Sequence, residues 1–127
     1  MRAAEVRVAF EGLLQIRRLT GAGPGDPAPW ERARPLRAVA LALEAAPFAP
    51  SAVDASGART ATGYRVSAGE REGTVRVEWL GPHGSGAVRE EDGALTACAA
   101  ALTALGWEAL LYRGPRRRRF LEVEPGA

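Results

Sequence analysis

Apolar residues recur at two periods along the chain, and each period names a kind of element. Between Gly93 and Leu105 no residue is charged, and Leu95, Cys98, Leu102 and Leu105 fall at spacings of three and four. That spacing predicts a helix with one buried face. Asp92 is placed to accept first-turn amides as an N-cap, and Gly106 to end the last turn in a left-handed conformation. Ala97, Ala101 and Ala104 flank the stripe, so the helix is expected to lie close against a sheet. Two strands, 107–113 and 120–123, follow and turn through Gly114-Pro115.

Upstream, Val6, Phe10, Leu13 and Arg17 share a helical face within residues 4–19. The alternation of Val6, Val8 and Phe10 leaves a hairpin as the competing reading. Leu36, Val39, Ala40 and Leu43 form a second helical stripe that Pro35 opens and Pro47 closes. Thr62, Tyr64 and Val66, then Val75, Val77 and Trp79, alternate at the period of half-buried strands, with the glycine-flanked 69–73 as their turn. Residues 20–29, with three glycines and three prolines, predict a surface connection, and 48–61 an irregular excursion.

The fold class that follows is α+β. Three helices pack on an antiparallel sheet of about four strands built from two hairpins, in the order α-α-β-β-α-β-β. The expectation is a single domain over 1–127, with a helical part at 1–47 and a hairpin-helix-hairpin part at 60–125.

Composition narrows the function classes. No uncharged apolar run approaches the roughly 20 residues of a membrane span, and Glu5, Arg7 and Glu11 interrupt the order of a secretory signal. A cytoplasmic protein without a membrane partner is expected. Cys98 is the only cysteine, which excludes an internal disulfide and a cysteine-based metal site, and its place on the apolar stripe reads as a small buried hydrophobe. All 17 basic residues are arginine, a usage that fits a GC-rich genome and weakens any functional reading of arginine over lysine. The net charge is only +2, divided as +2 over 1–46, −2 over 47–92 and +2 over 93–127.

The distribution of charge supplies the main candidate site. Arg113, Arg116, Arg117, Arg118 and Arg119 place five cations within seven residues around the last turn. Guanidinium groups pair in a bidentate way with phosphate oxygens, so a projecting hairpin of this kind is expected to contact nucleic acid with little sequence selectivity. Arg32, Arg34 and Arg37 at the start of the second helix, with Trp30 before them, are secondary candidates for an anionic or protein partner. The alternative function is a protein-interaction or assembly module, a homo-oligomer included, that uses a sheet edge, Trp30 or the basic hairpin against an acidic partner.

Helix followed by basic hairpin is the order of a winged helix. However, residues 94–105 offer only Thr96 and Thr103 to base edges, so a base-reading helix is not expected. Residues 81–86, Gly-Pro-His-Gly-Ser-Gly, lack the lysine and Ser/Thr ending of a phosphate loop, and with a helix start at residue 93 they lie too far upstream to work with its N-terminus. His83, the sole histidine, and Ser85 have no third group placed by sequence. The expectation is a non-enzymatic domain with no catalytic residue, cofactor or metal.

Overall fold

The computed structural model describes residues 2–21, 23, 25–46, 48–114 and 118–126. Among these, four helices and two antiparallel sheets make an α+β fold in the expected order, with two short additions. Helix α1 spans Arg2–Leu19, α2 Pro29–Ala33 and α3 Pro35–Ala45. Strands β1 (Ala52–Val53) and β2 (Arg59–Ala61) pair as a small ribbon, then β3 (Gly63–Ala68) and β4 (Val75–Leu80) form a hairpin. Helix α4 (Ala87–Ala104) leads to β5 (Trp107–Arg113) and β6 (Arg119–Pro125).

The helical reading of the first segment holds, and its face is the one the spacing predicts: Val6, Leu13 and Arg17 are buried, with Phe10 partly so. Arg17 sits in that face because an acid waits for it. Its Nε and Nη2 donate to the Glu31 carboxylate at 2.7 Å each, and Nη1 donates to the Leu105 carbonyl at 2.8 Å. Glu31 Oε2 also accepts the Ala28 amide at 2.9 Å, which caps α2. Both side chains are fully buried, and together they tie α1, α2 and the end of α4 to one point. A second fork, Arg2 to Glu44 at 2.7 and 2.8 Å, ties the start of α1 to α3.

Helix α4 begins at Ala87 with Gly86 as its N-cap, six residues before the expected start, and Asp92 lies inside it rather than capping it. The charged run 89–92 resembles a solvated loop, yet Ala87, Glu91, Leu95, Cys98 and Leu102 are the buried face of one continuous helix. Gly106 does end the helix with φ of +87°, as its position predicts. Ala97 and Ala104 face solvent rather than the sheet, so close approach there does not come from those alanines. Residues 52–53 and 59–61 pair where irregular chain was expected, because Asp54 closes their turn by accepting from the Ser56 and Ala58 amides.

The larger sheet runs in the order β3-β4-β6-β5, antiparallel throughout. Its inner face places Tyr64, Val75, Val77, Leu121, Val123 and Trp107 against Val39 and Leu43 of α3 and the Leu95–Cys98–Leu102 stripe of α4. Tyr64 stands opposite Trp79, Val66 opposite Val77, and Leu111 opposite Leu121, so each strand keeps one parity inward.

The two edges of this sheet differ. Along β3, the Ser51 amide donates to the Tyr64 carbonyl at 2.8 Å and the Tyr64 amide to the Ala49 carbonyl at 3.1 Å. That segment lies so close to Gly63 that any Cβ there would overlap its backbone, which requires glycine. Along β5, by contrast, no strand among the described residues covers the outer side.

Candidate functional site

Two surfaces carry the candidate residues: the turn after β5, and the open edge of β5 itself. At the turn, the Gly114 amide donates to the Arg118 carbonyl at 2.6 Å and closes the hairpin. Arg118 and Arg119 then meet acids of α4. The Arg119 amide donates to Glu91 Oε1 at 2.5 Å, Arg118 Nε lies 3.3 Å from Glu91 Oε2, and Arg119 Nε lies 3.4 Å from Asp92 Oδ1. Glu91 is only 1% exposed, so its carboxylate is a fixed anchor for the base of the hairpin. Arg113 is exposed and makes no ion pair among the described residues. Arg116 and Arg117 lie outside the described residues.

The early start of α4 changes the setting of the glycine loop. Residues 81–86 run directly into the helix, and residues 81–84 and 86, with Ala87, Arg89 and Arg118, line a recess of about 460 Å³ that includes His83. The unpaired amides of a helix start favour an anion, but Glu91 and Asp92 stand close by with the opposite preference.

Among the secondary candidates, Trp30 is partly buried against the core and its ring nitrogen is buried, so it is not a projecting anchor. Arg32 pairs with Asp26 at 2.9 Å. Arg34 and Arg37 are exposed and face the β3–β4 turn across a recess of about 560 Å³. Because Val75 of β4 stands opposite Val123 of β6, that turn lies at the opposite end of the sheet from the arginine hairpin. The two arginine groups therefore do not converge. Glu31, adjacent to both Trp30 and Arg32, is taken by Arg17.

The outer sheet face is charged in a balanced way. Arg71 reaches Glu122 and Glu124 at 3.2 and 3.1 Å, and Arg65 reaches Glu78 at 3.5 Å. Arg76 lies 4.0 Å above the Phe120 ring, which stacks on Tyr112 at 5.8 Å. These rings and cations already have partners, which leaves little for an incoming base or phosphate.

The edge of β5 offers unpaired backbone. The Gly114–Arg118 bond at one end and the Gly126 amide to the Gly106 carbonyl at the other share one register, in which even-numbered positions bond to β6. Ala109, Leu111 and Arg113 therefore direct their amide and carbonyl groups away from the sheet. Leu110, Leu111 and Tyr112 are 46%, 41% and 43% exposed, and the strand itself contains no proline or bulge. Periodicity identified this strand, but not its place at an edge.

Burial pushes the Cys98 thiol up to about 11, so it is no thiolate nucleophile at neutral pH. Among the described residues no group of three or more His, Cys, Asp or Glu side chains is placed to hold a metal, and no helix is long and apolar enough to cross a membrane. Among the described residues the chain is an α+β protein whose β5 edge carries exposed apolar side chains. No protein-family model, curated protein or solved structure matches it.

Proposed function

We propose that this chain is a non-enzymatic protein-interaction module that takes a strand of another polypeptide along β5. The observation that carries the reading is the contrast between the edges: on the β3 side residues 49–51 bond to Tyr64 and no large apolar side chain of that strand is exposed, while β5 leaves the groups of Ala109, Leu111 and Arg113 open beside three exposed apolar side chains. Main-chain bonds supply affinity in strand addition, and the alternate side chains supply selectivity. Natural sheets usually blunt such an edge with charges, proline or a bulge, and between Glu108 and Arg113 β5 carries none of these.

A photo-crosslinking residue at position 111, introduced in the producing cell, tests this reading. Discrete adducts with polypeptide are expected from position 111 and not from position 53, which is exposed on the small ribbon. Adducts absent from position 111, or formed there only with nucleic acid, overturn it.

The recess at the start of α4 favours a second reading, contact with nucleic-acid phosphates through Arg89, Arg118 and the hairpin. Each arginine that neutralises a phosphate of duplex DNA adds about −0.9 to the slope of log affinity against log salt. Replacing Arg113 and Arg118 with serine should flatten that slope by about two; an unchanged slope contradicts the phosphate reading.

A further inference from the structure

We infer that the strand β5 accepts is β5 of a second copy, paired antiparallel about Leu111. This rests on the edge-docking reading above and commits it to one partner. For a continuous sheet, the two-fold axis must run through the sheet, and directly opposed residues must point to the same face. Only registers in which the two opposed numbers sum to an even value meet that condition. Centring on Leu111 opposes Leu111 to its equivalent, Leu110 to Tyr112 of the second copy, and Ala109 to Arg113 of the second copy.

Three features select this register. The outward groups of β5 belong to odd-numbered positions, so the Leu111 pair and both Ala109–Arg113 pairs exchange hydrogen bonds. The Leu110–Tyr112 pairs fall at the non-hydrogen-bonded positions, where side chains approach most closely. All three exposed apolar side chains of one copy thus meet the same three of the other. The early part of the strand is meanwhile closed off, since the Gly25 backbone lies directly on Gly106 just before Trp107. A register centred nearer to Trp107 would run into that loop.

Charge points the same way. Strand β5 carries Glu108 near its start and Arg113 at its end. Antiparallel pairing sets Arg113 opposite the neutral Ala109 of the second copy, with Glu108 on the other face, and keeps the ends that carry Arg113 apart. Parallel pairing would stack Arg113 on Arg113 and bring like charges together.

The test uses the purified full chain. Light scattering across a concentration series should give twice the mass of one chain, and Leu111→Arg should return the mass of one chain, with a melting curve matching the natural chain's at dilutions where both are monomeric. Leu111 is already part-exposed in one copy, so this variant is expected to fold; Tyr112→Glu provides a second with the same expected loss. With Cys98→Ser as background, Leu111→Cys should form a disulfide-linked dimer under glutathione disulfide, because the paired Cα atoms stand about 5.5 Å apart. Val53→Cys in the same background should not. A chain that remains monomeric at high micromolar concentration overturns self-pairing, as does a dimer that survives Leu111→Arg or fails to cross-link at position 111. A monomeric chain that still gives photo-adducts with other polypeptides at position 111 overturns self-pairing alone and leaves the edge-docking reading standing.

Discussion

Arg17 shows how one side chain can hold three helices. Its guanidinium fills a fully buried place where the helical period calls for an apolar residue, and it does so only because Glu31 and the Leu105 carbonyl satisfy it. Removing one partner strands a buried charge, so Arg17→Met should lower stability by about 3–5 kcal/mol in chemical denaturation. Adding Glu31→Leu to that variant should recover part of the loss; a double variant less stable than the single one would contradict this account. Arg17 was visible in the apolar stripe, which is itself a signal that a buried acid must face it. Its identity as Glu31 depends on how the glycine- and proline-rich connection folds back, and sequence spacing carries no such information. Glu44 makes a pH-dependent counterpart. Its hydrogen bonds from Arg2 hold the carboxyl below its ordinary range. The contribution is therefore complete above the ordinary carboxylate value and is lost as pH falls through the lower folded value. Glu44→Gln should melt earlier than the natural chain at pH 7, and the two curves should converge in strong acid.

At the scale of elements, alternation and helical spacing were enough to place β3, β4, β5 and the main helices, because each buries one face. The beginning of α4 was hidden by Arg89, Glu90, Glu91 and Asp92, a charged run that looks like a solvated loop. Its missed signal is Ala87 and Glu91, which extend the spacing of Leu95, Cys98 and Leu102 by two further turns. That displacement matters for the candidate site, because it brings the acids of α4 against Arg118 and Arg119. The hairpin that reads as freely projecting cations is thus partly neutralised at its base. Edge protection is also an element-scale property. Gly63→Ala should push residues 49–51 off β3 and cost about 1–3 kcal/mol. Faster exchange of the Tyr64 amide would report the displacement, and unchanged exchange with unchanged stability would show that the segment does not lie as described.

For the molecule as a whole, the decisive feature is an asymmetry that no single stretch of sequence encodes. The chain returns β6 between β4 and β5, so the last hairpin contributes its first strand, not its second, to the boundary of the sheet. Seven residues with both faces partly apolar are left without a neighbouring strand on one side, while at the opposite boundary the chain's own residues 49–51 bond to Tyr64. Sequence alone made a sheet edge one of several candidate surfaces; strand order distinguishes this edge from the other. Residue-resolved amide exchange across β5 tests the asymmetry most directly. In dilute solution Ala109, Leu111 and Arg113 should exchange quickly while Leu110 and Tyr112 stay protected, and the first three should slow as the chain is concentrated. Equal protection of all five at the lowest concentration, or rapid exchange of the odd-numbered three at every concentration, would contradict the account.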